Sequence, residues 1–271
     1  MSQTIFITGT SSGIGEATAK HFQSKGWNVT ATMRNTQNGE ALSKLDNVLI
    51  EHLDVTDAKS IQTAFQSAID QFGQIDVLLN NAGYGAYGPL ESFGIERIRR
   101  QFDTNVIGLL MVTKAILPHM RANKSGTIVN ISSIGGQMTF PLGTLYHGTK
   151  FAVEGLSEAL HYELEAVGIK TKIIEPGMIA TDFNGRSFDF ANDPAIEDYQ
   201  GIVSNFLSGF NNNSMQPSSP ELVAEVIWNA VTDDTNTLRY RAGADAEMLL
   251  TNRKSYDDAT FIGGLKQQMG L

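Results

Sequence analysis

Short runs of apolar and β-branched residues alternate along this chain with longer stretches whose apolar positions recur every three or four residues. The runs predict strands at Thr4–Thr8, Asn28–Met33, Val48–His52, Val77–Leu79, Thr127–Ile131, Lys170–Ile174 and Leu238–Ala242. The periodic stretches predict helices around Gly15–Lys25, Lys59–Phe72, Ile95–Met120, Leu145–Val167 and Pro220–Val231. Several runs are apolar almost throughout, as strands buried on both faces of a parallel sheet must be. Strand–helix alternation at this spacing builds βαβ units. The expected fold is therefore α/β: a doubly wound, seven-stranded parallel sheet flanked by helices, one domain over residues 1–271. The rhythm breaks between Thr181 and Pro220, where Ile196, Tyr199, Val203, Phe206 and Phe210 predict one amphipathic helix and Asn211–Pro220 a loop. An insertion at about 183–220, on the C-terminal edge of such a sheet, is where a substrate lid belongs. Its aromatic residues Phe183, Phe188, Phe190, Tyr199, Phe206 and Phe210 either line an apolar pocket or pack a core.

Candidate chemistry sits where the strands end. Thr8-Gly-Thr-Ser-Ser-Gly-Ile-Gly15 follows the first strand and opens the first helix. Gly9, Gly13 and Gly15 permit a tight turn and let the backbone of Thr10, Ser11, Ser12 and Ile14 approach a pyrophosphate at the helix N-terminus, where free N–H groups and the dipole favour an anion. The second strand ends in Thr30-Ala-Thr-Met-Arg34, with no carboxylate for a ribose 2′-hydroxyl and an arginine able to pair with a 2′-phosphate. That favours NADP(H) over NAD(H). Further on, Tyr146 and Lys150 stand four residues apart in a predicted helix, one turn apart on one face, with Ser132 and Ser133 after an upstream strand. A free tyrosine titrates near pH ~10, and a neighbouring ammonium favours its phenolate. Such a tyrosine is suited to general acid–base work near neutral pH. His147 should face away from the substrate, about 100° round the helix from Tyr146. Asp182 reads as a capping or loop residue.

Composition narrows the partners. With 271 residues, 41% of them hydrophobic, the chain can bury a sizeable core. A formal charge of −9 and the lack of a basic run argue against nucleic acid. No apolar stretch is long enough to span a membrane, and the start shows no secretory pattern. The absence of cysteine excludes disulfides and fits a reducing compartment, so a cytoplasmic location is expected. His21, His52, His119, His147 and His161 are scattered without metal-ligand spacing, so no metal site is expected.

Taken in order, these residues resemble the short-chain dehydrogenase/reductase family over roughly Thr4 to Thr181, especially its steroid- and retinol-type branch. The resemblance implies a Rossmann-type fold and an enzyme that interconverts an alcohol and a ketone or aldehyde by hydride transfer. It implies that Asp54 and Val55, in Leu53-Asp-Val, meet the adenine, and that Asn80-Asn-Ala-Gly83 contributes Asn81, Ala82 and Gly83 to the cofactor site. Pro176, Gly177, Ile179 and Thr181 would surround the nicotinamide. A catalytic tetrad of Asn105, Ser133, Tyr146 and Lys150 follows, the family's serine-to-tyrosine count selecting Ser133 over Ser132. Lys150 would also bond the nicotinamide ribose, and Asn105 would hold a relay water. The family further implies a homodimer or homotetramer, here through a stripe such as Leu156, Ala159, Leu160 and Glu163. The expected partner is a small alcohol or carbonyl compound, apolar if the lid aromatics line the pocket. A reading of another class is an NADP(H)-binding sensor with little turnover, although such proteins often lose the tyrosine or lysine kept here.

Overall fold

Parallel strands that are apolar on both faces need helices above and below them, and this chain supplies both layers. The computed structural model describes residues 2–181, 187–211 and 216–271, with the side chains of 209–211 outside the description. Strands β1 (Thr4–Thr8), β2 (Asn28–Met33), β3 (Val48–His52), β4 (Val77–Asn80), β6 (Thr127–Ile131), β7 (Lys170–Pro176) and β9 (Arg239–Ala242) form one parallel sheet. Its order is β3-β2-β1-β4-β6-β7-β9. Alternate side chains of a strand serve opposite layers, as β1 shows. Ile5 and Ile7 join the cluster that holds Phe22 of helix α1 (Gly13–Ser24) and Ile227 of α8 (Pro220–Thr232). Phe6 points the other way, to Ile61 and Phe65 of α3 (Ala58–Phe72), Ile116 of α5 (Leu109–Asn123) and Leu164 of α6 (Thr144–Glu165). Between β2 and β3 lies the short α2 (Glu40–Ser43).

Three features depart from the sequence pattern. The helix expected over Ile95–Met120 begins as α4 (Ile95–Phe102), loosens into a π-helical turn at Asp103–Gly108, and resumes as α5. The wider turn shifts the residues after it by part of a turn, a change that periodicity does not register. A second, two-stranded parallel sheet pairs β5 (Gly85–Tyr87) with β8 (Phe188–Phe190), each only three residues long and too short to show a pattern. Two helices, α9 (Ala244–Ser255) and α10 (Asp258–Gln268), close the C-terminus and pack Leu250 and Phe261 against Ile134 and Met138. Within 183–220, Gln200–Asn211 forms α7, in agreement with the amphipathic helix expected there. Asp182, Phe183 and the Phe210 side chain lie outside the described residues.

Candidate active site

The strand order reverses between β1 and β4, and in open α/β sheets ligands bind beyond the carboxyl ends at such a reversal. The glycine loop, Arg34, Asp54, Asn81, Ser133 and the Pro176–Thr181 segment emerge at the ends of β1, β2, β3, β4, β6 and β7, around one cleft of about 1830 Å³ that Tyr146 and Lys150 of α6 also line. That exceeds the roughly 300–1,000 Å³ of an ordinary small-ligand pocket. It has room for an extended dinucleotide together with a second molecule.

Asn81 builds the middle of the cleft. Its side-chain N–H groups donate to the carbonyls of Thr8 and Gly9, both at 2.9 Å, while the backbone N–H groups of Asn81 and Ala82 donate to Thr8 Oγ1 at 3.0 Å. Gly9, Ser11, Ser12, Gly13 and Ile14 line the cleft. Thr10 and Gly15 lie beneath it. The Thr10 N–H and hydroxyl both donate to the Thr32 carbonyl, and a Cβ on Gly15 would fall 2.3 Å from the Gly9 oxygen. Ser12 stands at the N-cap of α1, where the free N–H groups of the helix terminus suit an anion. Asn80 serves the scaffold: its amide donates to Thr113 and to Asn130, both at 2.9 Å, and joins β4 to α5 and β6.

At the outer end Arg34 is exposed beside Asn38, Asp54 and Val55. Burial pushes the Asp54 carboxyl up, but two hydrogen bonds from Thr56 and the nearby Arg34 outweigh it and hold the group below its ordinary value. At the inner end Ser133, Tyr146 and Lys150 come together with Pro176, Gly177, Ile179 and Thr181. Ser133 Oγ accepts the Gly135 N–H at 3.0 Å, and Ser133 hydrogen-bonds Tyr146. Lys150 Nζ donates to the Ile131 carbonyl at 2.8 Å and sits 5.8 Å from the centre of the Tyr146 ring. Ser132 also borders the cleft, but its buried hydroxyl lies near Glu154 across Gly136.

Asn105 is behind the wall. Its amide donates to the Tyr84 carbonyl at 2.8 Å and to Thr149 Oγ1 at 3.1 Å, and accepts the Tyr84 N–H at 3.1 Å. Both side-chain N–H groups therefore have protein partners, leaving only oxygens of this residue to hold a water. Three contributions escaped the sequence reading. Asp245, in the first turn of α9, accepts the Met178 N–H at 2.6 Å and packs so closely on Gly177 that a Cβ there would lie 2.2 Å from its oxygens. Tyr87 and the C-terminal residues Leu249, Leu265 and Met269 also line the cleft. The third is His147, which is buried against the loop after Ser133 and lines the cleft instead of facing away from it.

A family model for short chain dehydrogenases matches residues 3–192. The chain is 46% identical over 242 residues to an uncharacterized oxidoreductase of Schizosaccharomyces pombe, covering 88% of this chain and all of the relative. The chain belongs to the short-chain dehydrogenase family. It is also 32% identical to retinol dehydrogenase 8 of Bos taurus, over 88% of this chain and 81% of that one. Among solved structures, a short-chain dehydrogenase from Streptomyces avermitilis superposes with a TM-score of 0.82 at 34% identity, covering 94% of this chain and 92% of that chain. ElxO, solved with NADP bound, superposes with a TM-score of 0.73 at 28% identity, covering 89% and 98%.

Charge burial sets the resting state of this dehydrogenase. Lys150 was expected to pull the Tyr146 pKa down. In the structure burial dominates and raises it above the ordinary 10, with the Ser133 hydrogen bond acting in the opposite direction. Burial also lowers Lys150 to about 8, and Glu154 one turn away partly restores it. Behind the site, Glu175 at the end of β7 is 1% exposed and accepts a hydrogen bond from Gln137. Burial and the neighbouring Glu154 raise it to about 7 against the pull of Arg239 and Arg241. Arg239 bonds Glu154 at 2.9 Å and stands 3.6 Å from Glu175.

Because the folded pKa of Glu175 lies above its unfolded value, its contribution to stability is complete below pH ~4.5 and is lost as pH rises to about 7. The Glu175→Gln variant lacks this titration. Urea unfolding at pH 5 and pH 8 should show the variant gaining about 2–3 kcal/mol on the wild type across the interval. A difference that does not change with pH would mean that Glu175 is ionised in the folded protein.

Proposed function

We propose that this chain is an NADP(H)-dependent oxidoreductase that interconverts an alcohol and a ketone or aldehyde, with Tyr146 as its general acid and base. The observation that carries this is the meeting of Ser133, Tyr146 and Lys150 at the inner end of a cleft whose middle is the glycine loop. The residues fit a dinucleotide: a helix N-terminus for the pyrophosphate, Asp54 and Val55 for adenine, and the Pro176–Thr181 segment, held by Asp245, for the nicotinamide. When bound, the nicotinamide supplies or accepts the hydride.

Tyr146, protonated by virtue of its burial, gives its proton to the substrate oxygen as negative charge gathers there in reduction. In oxidation it takes that proton back. Ser133 hydrogen-bonds the same oxygen and fixes it beside the phenol. Lys150, an ammonium at neutral pH, favours the phenolate once Tyr146 has given up its proton, and would hold the cofactor ribose. A water on an oxygen of Asn105 would return the proton from solvent. Residues 187–211 act as the lid. Phe188 and Phe206 stack about Tyr87 over Tyr146, with ring centres 5.3 to 5.9 Å from Tyr87. Such a wall selects an apolar carbonyl compound, in keeping with the retinol dehydrogenase relative.

The Tyr146→Phe variant removes only the transferable proton. It should lose turnover of carbonyl compounds while its NADPH affinity, followed by nucleotide fluorescence, stays near that of the wild type. Retention of more than about a tenth of the wild-type rate would take Tyr146 out of this role.

The preference for NADP(H) rests on Arg34, the exposed cation at the end of β2, where no carboxylate stands at Met33. An arginine–phosphate contact is worth about 1.5–3 kcal/mol. Arg34→Ala should therefore weaken NADPH by about one to two powers of ten and leave NADH nearly unchanged. Specificity constants for both cofactors decide it; an unaltered ratio would make Arg34 a solvated strand-end residue.

The protein pairs with a second copy through the outer face of α6 and the α4 to α5 stretch. The stripe differs from the one expected, since Leu160 packs into the core of its own subunit. The exposed apolar residues on these elements include Ile95, Phe102, Ile107, Phe151 and Tyr162. Light scattering at micromolar concentration should give a dimer or tetramer mass, lowered by Phe151→Glu with Tyr162→Glu. A monomeric wild type would refute the pairing.

A further inference from the structure

We infer that His147 is a positioning residue that fastens the loop carrying Ser133 to the helix carrying Tyr146. The loop leaves β6 at Ser133, makes a short 3-10 turn at Ile134–Gly136, and returns through Met138 and Phe140. Both of its limbs bond to the one imidazole. The Phe140 N–H lies 3.0 Å from His147 Nε2, which must therefore accept. Nδ1 then carries the proton and donates to the Gly135 carbonyl, also at 3.0 Å. Burial lowers the His147 pKa to about 4, so the ring remains neutral and this tautomer persists at ordinary pH.

The ring fits because two glycines make room for it. A Cβ on Gly135 would lie 2.6 Å from Nδ1, and one on Gly143 would lie 2.3 Å from Cδ2. From the imidazole a continuous set of contacts reaches the reacting group. His147 holds Gly135, whose own N–H donates to Ser133 Oγ, and Ser133 bonds Tyr146. The histidine follows Tyr146 in sequence and their rings meet edge to face with centres 5.5 Å apart, so the same side chain bears on both ends of the Ser133–Tyr146 pair. Displacement of a reacting group by about 1 Å can cost about 100-fold in rate.

This inference rests on the roles proposed above for Ser133 and Tyr146, and the test separates the two. The test compares His147→Phe, which fills the site without hydrogen bonds, with His147→Asn, whose amide can keep the Gly135 link. Circular dichroism and thermal unfolding establish that each variant is folded, and His147→Asn carries the comparison if His147→Phe is not. With NADPH and phenanthrenequinone as the probe carbonyl, His147→Phe should lose about 100-fold in kcat, with His147→Asn recovering part of it. The NADPH dissociation constant should stay within about twofold. Without any substrate, ultraviolet difference titration against Tyr146→Phe should show the Tyr146 phenol ionising at higher pH in His147→Phe, as its Ser133 bond is lost. An unchanged kcat in a folded variant, or an unchanged Tyr146 titration, overturns the positioning role. A wild type inactive on all carbonyl compounds counts against the proposed function instead, and the titration then judges His147 alone.

Discussion

The clamp between the ends of β1 and β4 is the constraint on which the site depends. Two N–H groups of the Asn81 side chain reach the Thr8 and Gly9 carbonyls, while Thr8 Oγ1 receives two backbone N–H groups in return. The chain leaves these two paired strands in opposite directions because the strand order reverses, and the bonds brace the floor of the crevice that the reversal creates. The glycine loop takes its shape from this clamp, and the orientation of α1 follows from the loop. Buried amides continue the scheme inward, with Asn80 bonded to Thr113 and Asn130, and Asn130 to Ser157 on α6. A polar chain of this kind fixes register in a way that apolar packing alone does not, because each unpaired buried amide would cost more than its bond contributes.

Burial has opposite consequences for the two titratable groups at the inner end. It favours the neutral forms of both, raising Tyr146 and lowering Lys150. Ser133 opposes it for the tyrosine through a hydrogen bond, and Glu154 for the lysine through its charge. The pair is thus poised as phenol and ammonium. Glu154 is also the partner of Arg239, so the charge cluster behind β7 reaches Lys150 through one shared carboxylate.

The wall opposite the glycine loop is assembled from distant segments. β8 pairs with β5, and Asp189 of β8 bonds both Arg97 and Arg100 of α4. This ties the segment after residue 186 to the body at the point where Tyr87 enters the cleft. Asp245 performs a similar service for the Pro176–Thr181 segment from the C-terminal side.

Much of this was legible in the sequence. Four of the seven main strands have the bounds that their apolar runs indicate, and the other three differ by one or two residues at one end, because burial on both faces leaves a continuous apolar signature. The glycine loop, Arg34 and the Tyr146–Lys150 pair could be read locally, since each depends on a turn, a strand end or one helical turn. What the sequence could not reveal depends on contacts between segments far apart in the chain. The three-residue strands β5 and β8 exist only because they find each other, and Asp245 has no distinctive spacing. Helical geometry placed His147 about 100° from Tyr146, which is correct, but did not show that the Ser133 loop folds over that face. The sign of the Tyr146 shift was missed for the same reason. A one-turn spacing reveals the neighbouring charge, whereas desolvation is set by everything the tertiary structure packs around the group.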